Sequence, residues 1–135
     1  MPTSGLGWRL SLAALLGATA VVAGAFGAHG LRGDVSVERL SVWETAAHYQ
    51  LIHAVVLLAL LGLRTTATQA VKLRWLDAAE GLIALGILVF SGSLYLLVLT
   101  DTAALGAVTP LGGLALIAGW GCLMLHGRAL IRATS

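Results

Sequence analysis

The stretch Thr45–Leu63, TAAHYQLIHAVVLLALLGL, contains no Asp, Glu, Lys or Arg. Three other stretches also lack formal charge over a similar or greater length: Leu10–Ala28, Gly81–Thr100 and Thr102–Gly127. A helix needs about 20 residues to cross a hydrocarbon core of about 30 Å. The sequence therefore predicts four transmembrane helices.

The composition supports a membrane protein rather than a soluble one. Of the 135 residues, 59% are hydrophobic and 10% are charged, whereas about 25% charged residues is usual in soluble proteins. A soluble domain of this size could not bury so much apolar surface. We therefore predict an all-α, polytopic membrane protein whose single domain, 1–135, is surrounded by lipid. Its approximate spans are 8–28, 44–63, 79–100 and 109–127.

The fourth span is placed by a helix-start signal. Thr109-Pro110 is typical of an N-cap followed by the first helical residue. The first span has a second interpretation, because Arg9, the apolar run and Ala23-Gly24-Ala25 or Ala25–Ala28 resemble a secretory signal peptide. That run is longer than a usual signal-peptide core and three more spans follow, which favours a transmembrane helix.

The basic residues predict the orientation. In an up-down bundle, six of them lie on the side that carries both termini: Arg9, Arg64, Lys72, Arg74, Arg128 and Arg132. The other side has only Arg32 and Arg39. Cytoplasmic loops are enriched in Lys and Arg, so we predict an N-in/C-in protein of the cell inner (cytoplasmic) membrane. The charges are scattered, so no nucleic-acid partner is predicted.

Aromatic and acidic residues mark the ends of the spans. Trp8, Trp43 and Trp75 fall at predicted helix ends, as in an aromatic belt. The third helix opens with Asp77 and Glu80, where carboxylates suit the helix dipole. We expect Glu80 to form an ion pair with one of the nearby basic residues, namely Arg64, Lys72 or Arg74.

The first helix carries small residues, many of them four apart: Ala13, Gly17, Ala20, Gly24 and Ala28. Such spacing lets helices approach closely in lipid. The stripe fits packing within one chain or contact between subunits. A homo-oligomer or a larger membrane complex is the expected assembly. Cys122 is the only cysteine, so no disulfide forms within one chain.

The second span holds a polar cluster, His48, Tyr49, Gln50 and His53. Ionisable groups at membrane depth cost free energy and are candidates for function. If the helix enters the membrane near Glu44, His53 lies about 13 Å deep, close to the midplane. Tyr49 and His53 share a helix face because they are four residues apart.

The favoured interpretation is structural, with His53 as a neutral imidazole bonded to the third span. Ser91, Ser93 and Tyr95 are partners of the right type, and polar side chains commonly join membrane helices. The predicted intramembrane polar cluster comprises His29, His48, Tyr49, Gln50, His53, Ser91, Ser93 and Tyr95.

Two other interpretations use the same residues. Histidine titrates near neutral pH, so His53 could relay protons or serve a small-solute path, although no carboxylate lies deep in any span. His29, Glu44 and His48 are weak candidates for a metal site at the outer face, and only His29 with His48 fits a haem. We expect no resident metal or cofactor.

No catalytic set is evident, and we predict that the protein is not an enzyme. Cys122 and His126 are four residues apart and could form a thiol dyad, but no third orienting group lies nearby. A cysteine in an apolar helix is normally inert.

Four ordered motifs resemble the YgdD-like family of small membrane proteins. They are Gly24–Leu31 (GAFGAHGL), Trp43–Ala54 (WETAAHYQLIHA), Ser91–Tyr95 (SGSLY), and Thr109–Gly113 (TPLGG) with Gly119-Trp120. The resemblance implies a four-span inner-membrane protein with a mitochondrial relative in animals. It implies no substrate, cofactor or catalytic residue. The predicted function is a structural, oligomeric or accessory membrane subunit.

Overall fold

The computed structural model describes residues 3–66 and 73–134. These residues form four long helices, all of them long and apolar enough to cross a membrane. The all-α class and the four predicted transmembrane helices are confirmed. The helices are α1 (Thr3–Phe26), α2 (Val37–Thr66), α3 (Arg74–Thr100) and α4 (Thr109–Thr134). A π-helical turn, Gly27–Leu31, follows α1, and a 3-10 turn, Ala103–Ala107, precedes α4.

The connection between α1 and α2 is short and locally determined. The carbonyl of Leu31 accepts from the backbone amides of Asp34 (3.0 Å) and Val35 (3.3 Å). Gly33 has φ +94°, a conformation that glycine adopts without steric cost. The Ser36 hydroxyl accepts from the amide of Arg39 at 3.2 Å, which makes Ser36 the N-cap of α2.

The helices contact one another in chain order. Backbone contacts join α1 to α2, α2 to α3 and α3 to α4, and within the described ranges none joins α1 to α4. α2 and α3 are therefore the central helices of the bundle. Buried residues make up 44% and 39% of the apolar windows of α2 and α3, against 22% and 17% for α1 and α4.

Small residues of α1 pack against α2. Ala13 and Ala20 are buried, and a Cβ added at Gly17 would lie 3.8 Å from the nearest side chain of α2. Gly24 and Ala28 are exposed. Ala13, Gly17 and Ala20 of the small-residue stripe therefore pack within the chain, whereas Gly24 and Ala28 remain on the surface.

Glycines bring α3 and α4 close together. A Cβ added at Gly112 would lie 2.3 Å from the backbone nitrogen of Phe90, and one at Gly86 would lie 3.0 Å from the backbone nitrogen of Leu116. At Gly119 it would lie 2.6 Å from an α3 side chain. Small residues at a helix interface permit this approach in a membrane.

The C-terminal end of α3 is held by α2. Arg39, in the first turn of α2, donates to the carbonyl of Val98, and its Nη1 lies 3.2 Å from Oδ1 of Asp101. Asp101 adopts the left-handed conformation, φ 54°, which commonly ends a helix. The last carbonyls of a helix have no intrahelical donor, so Arg39 satisfies a group that α3 itself cannot.

Two details differ from the sequence prediction. Trp43 was expected in an interfacial belt, but it is only 6% exposed and packs inside the bundle, whereas Trp8 is 57% exposed. Thr109 was expected as an N-cap, but α4 already includes it. Its hydroxyl lies 2.8 Å from the hydroxyl of Ser93 on α3. This contact with α3 competes with capping of α4 by the Thr109 hydroxyl.

We expect Gly112→Ala to destabilise the protein by about 1–3 kcal/mol, the usual cost of overpacking, because the new methyl meets the backbone of Phe90. Thermal unfolding in mild detergent measures the change. Gly113→Ala is the matched control, since its Cβ would lie in ordinary contact, 3.8 Å from the Phe90 ring. Equal unfolding temperatures for the two variants would contradict the close α3–α4 contact.

Candidate functional site

Gln50 is the centre of the polar network inside the bundle. Its Nε2 donates to the carbonyl of Leu16 (2.9 Å) and to the hydroxyl of Thr19 (2.8 Å), both on α1. Its Oε1 accepts from the Tyr95 hydroxyl of α3 at 2.9 Å. Gln50 is 6% exposed. One side chain of α2 thus joins three helices.

Trp43 forms a second junction, at the end of the bundle that we call the Trp43 end. Its indole nitrogen donates to the carbonyl of Ala23 at 2.7 Å. Its ring lies 5.6 Å from that of Phe26 and 4.5 Å from that of Tyr95. A Cβ at Gly27 would lie 2.6 Å from the Trp43 ring, so this glycine makes room for the indole.

Gly30 has a similar role in the same motif. A Cβ there would lie 2.6 Å from two carbons of the Phe26 ring. The following residue, Leu31, is buried with Trp43 and Val98 in a small apolar cluster. In the GAFGAHGL motif, Gly27 and Gly30 therefore leave space for the rings of Trp43 and Phe26. His29 of the same motif is exposed.

Both ring nitrogens of His53 are engaged. Nδ1 lies 2.8 Å from the carbonyl of Tyr49, and because a carbonyl only accepts, Nδ1 carries the proton. Nε2 is then an acceptor and receives the indole N–H of Trp120 at 3.3 Å. The Tyr49 ring stacks on the imidazole, with centroids 5.8 Å apart. Each ring nitrogen of His53 thus has a hydrogen-bond partner inside the bundle.

The partner of His53 differs from the prediction. Ser91, Ser93 and Tyr95 were the expected partners, but Trp120 on α4 occupies this position. The third-span residues bond elsewhere, since Ser91 donates to the carbonyl of Ala46 at 2.8 Å and Ser93 meets Thr109. The sequence did not reveal the rotation of α2 that turns His53 towards α4.

The predicted polar cluster therefore divides into an inside and an outside. Gln50, His53, Ser91 and Ser93 are buried, with Tyr95 half-buried beside them. Tyr49 is 41% exposed. The remaining two predicted members, His29 and His48, lie on the surface.

The weak metal candidates are not gathered into a site. His29, Glu44 and His48 are all exposed. In residues 3–66 and 73–134, no three or more His, Cys, Asp or Glu side chains are grouped so that they could hold a metal ion. Cys122 is half-buried against the main core, and His126, four residues later, is buried.

A charge cluster joins three helices at the opposite end, which we call the Arg64 end. Arg64 Nη2 lies 2.6 Å from Asp77 Oδ1 and 2.7 Å from Glu80 Oε2. Arg9 of α1 also pairs with Glu80 and lies 3.5 Å from Asp77. Arg64 and Glu80 are 8% and 9% exposed, so water screens this pair little.

The expected pairing of Glu80 with Arg64 is present, but the part played by Arg9 was missed. The alternating topology places Arg9 at the same depth, which is the signal that could have identified it. Of the other predicted partners, Arg74 lies over the Trp75 ring at 4.9 Å, and Lys72 lies outside the described residues.

A cavity of about 150 Å³ adjoins this cluster, between α1 and α3. Leu57 of α2 lines it together with apolar and charged side chains of the flanking helices. Its charged residues, Arg9, Asp77 and Glu80, already bond to one another or to Arg64. The contacts at this end serve chiefly to fix α1, α2 and α3 together.

We expect Tyr95→Phe to lower the free energy of unfolding by about 0.6 kcal/mol, the average for hydrogen bonds between membrane helices. The variant removes the donor to Gln50. Unfolding in mixed micelles measures it. Tyr49→Phe is the matched control because, among the described contacts, the Tyr49 hydroxyl forms no hydrogen bond. A larger loss in the control would contradict the assigned network.

We expect Glu80→Gln to cost about 3–5 kcal/mol, because breaking a buried ion pair leaves the partner charge uncompensated. Arg64 is that partner. The midpoint of unfolding should fall well below that of Asp34→Asn, which removes an exposed carboxylate. Similar midpoints for the two variants would show that the cluster contributes little to stability.

Comparison with known protein sequences assigns this chain to one family. A family described as "Protein of unknown function (DUF423)" matches residues 23–113. A "UPF0382 membrane protein" of Staphylococcus aureus (strain bovine RF122 / ET3-1) is 47% identical over 114 residues, which cover 84% of this chain and 89% of the relative. Another, YwdK of Bacillus subtilis (strain 168), is 45% identical over 112 residues, covering 81% and 86%.

No solved structure matches this chain at a significant level. The matched residues 23–113 begin at Ala23, the acceptor of the Trp43 indole, and include Gln50, Tyr95 and Gly112. The resemblance to a small, uncharacterised membrane protein family is thus confirmed. The chain belongs to the DUF423 family of membrane proteins of unknown function, whose curated relatives carry the name UPF0382.

Proposed function

We propose that this protein is a non-enzymatic subunit of the cytoplasmic membrane that acts by assembling with other membrane-embedded chains. The observation that carries this proposal is the use of the deep polar side chains. Gln50 joins α1, α2 and α3, and His53 receives a hydrogen bond from α4. These groups hold the four helices in one fixed arrangement, as expected of a scaffold.

The state of His53 favours this role over proton relay. A relay histidine must gain and lose a proton at a nitrogen open to the path. In this structure Nδ1 is bonded to the carbonyl of Tyr49 and Nε2 to the indole N–H of Trp120. His53 thus uses its hydrogen-bonding capacity for contacts within the bundle, which supports a structural role.

The exposure of the two outer helices supports assembly. α1 and α4 each have backbone contacts with one long helix only, within the part of the chain that the structure describes. Most of their apolar surface is left for lipid or for other chains. The distribution of basic residues favours an up-down bundle with its Arg64 end in the cytoplasm. In that orientation the exposed surfaces of α1 and α4 would extend across the whole bilayer.

Assembly is tested by native mass spectrometry of the protein released from lipid nanodiscs. We expect particles with more than one chain, either copies of this protein or a constant partner. The same preparation diluted tenfold in lipid should retain them. A strict monomer that carries no other protein at either dilution would overturn the proposal.

Transport is tested separately in proteoliposomes. We expect the proton leak of the wild-type protein to equal that of His53→Ala and of Trp120→Phe, since His53 serves packing. Thermal unfolding of both variants verifies that they remain folded. A wild-type flux that His53→Ala abolishes in a folded protein would favour the transporter alternative.

A further inference from the structure

We propose that the cavity at the Arg64 end binds one phospholipid whose headgroup carries both a phosphate and a protonated amine. The cavity, of about 150 Å³, lies between α1 and α3, and Leu57 of α2 contributes to its lining. It is much larger than the roughly 30 Å³ that one water occupies in the liquid. A lipid site goes beyond the proposed assembly role and does not depend on it.

The cavity is a gap between two helices that both pack on α2. Within residues 3–66 and 73–134, α1 and α3 each have backbone contacts with α2 but none with each other. Arg9 of α1 bridges the gap at its charged end by contacting Asp77 and Glu80 of α3. Gly81 is exposed and lines the gap, and a Cβ added there would meet no neighbouring atom within 4 Å. The gap is therefore open at the surface of the bundle, where lipid surrounds a membrane protein.

The polarity of the cavity changes along the membrane normal as that of a phospholipid does. Trp8, Arg9 and Asp77 line its outer part, and side chains of these types favour the boundary of the hydrocarbon core. Leu12 is three residues beyond Arg9 in α1, which is about 5 Å deeper. Ala84 is seven residues beyond Asp77 in α3, which is about 10 Å deeper. A headgroup at the boundary and an acyl chain beside the apolar walls match this order.

Two opposite charges remain accessible at the mouth of the cavity. The side chains of Asp77 and Arg9 are 50% and 25% exposed, whereas Glu80 and Arg64 are buried and pair with each other. The contacts of Asp77 with Arg9 and Arg64 both use Oδ1, and no described residue bonds its Oδ2. A phosphate would bind the Arg9 guanidinium, and a primary ammonium would donate to Oδ2 of Asp77. One headgroup of the proposed class supplies both groups.

The same two charges disfavour the other common headgroups. A headgroup whose only charge is its phosphate would lie beside the Asp77 carboxylate with no positive group to offset the repulsion. A choline headgroup carries a positive charge, but it has no N–H to donate to that carboxylate. The mouth of the cavity therefore distinguishes headgroups by their amine as well as by their net charge.

Native mass spectrometry of the detergent-solubilised protein measures the headgroup preference. The probes are phosphatidylethanolamine, phosphatidylcholine and phosphatidylglycerol with identical acyl chains. We expect the ethanolamine lipid to bind about fivefold more tightly than the other two, as one partly exposed ion pair allows. In Asp77→Asn the preference should disappear, because the amine loses its carboxylate. Equal affinities of the wild-type protein for the three lipids would overturn the headgroup assignment.

Gly81→Leu tests the cavity itself. The new side chain would fill space at the mouth without a clash at its Cβ, so we expect the preference for the ethanolamine lipid to be lost. Gly92→Leu is the matched control, because it lies on the same helix and its Cβ would also meet no neighbouring atom within 4 Å. Thermal unfolding verifies that both variants are folded. Undiminished binding of the ethanolamine lipid to folded Gly81→Leu would overturn the site.

Photocross-linking of the wild-type chain locates the lipid without any substitution. A phosphatidylethanolamine that carries a diazirine in the upper part of one acyl chain should label the peptides containing Leu12 and Ala84 more strongly than those of α4. Labelling concentrated on α4 would overturn the site. A Gly81→Leu variant that changes the number of associated chains and leaves the bound lipid unchanged would show that a protein occupies the cavity, which would also overturn the lipid assignment.

Discussion

The carboxamide of Gln50 has donors and acceptors that lipid cannot satisfy, and the bundle is arranged around that requirement. Its amide hydrogens bond two groups of α1, and its oxygen accepts from Tyr95 of α3. Each bond is modest in free energy, but leaving a buried group unpaired costs more than one bond contributes. The network therefore fixes the rotation and depth of three helices more strongly than apolar contact alone, which has little directional preference.

Glycines and aromatic rings supply the complementary shapes around this network. Gly27 accommodates Trp43 and Gly112 accommodates the backbone of Phe90. Rings and glycines that are far apart in the sequence are thus parts of the same contacts. The four motifs that carry the family resemblance take part in helix packing: they form the contact of Gly27 with the Trp43 indole, the hydrogen bonds of the Gln50 carboxamide and the close approach of Gly112 to the Phe90 backbone.

The four helices follow from hydropathy because an uncharged run of about 20 residues has few alternatives in a membrane protein. The start of α2 is set by a local contact, the Ser36 cap, and Glu80 pairs with Arg64, one of the nearby basic residues predicted for it. Helix rotation was not predictable in the same way. The sequence places Trp43 near an interface and His53 near the midplane, but only tertiary contacts turn Trp43 inward and His53 towards Trp120. The ion pairs of Arg9 were not predicted, because its acidic partners lie about 70 residues later in the chain.

Contacts in chain order have a consequence for biogenesis. Each long helix has backbone contacts with the one made just before it, so the main helix pairs can form in the order of synthesis. When α2 emerges, α1 already offers the carbonyl of Leu16 and the hydroxyl of Thr19 to Gln50. The side-chain oxygen of Gln50 receives its hydrogen bond only when α3 brings the hydroxyl of Tyr95. Insertion can thus proceed one helix at a time during synthesis, although Arg9 of α1 pairs only when α3 is present and His53 of α2 only when α4 is present.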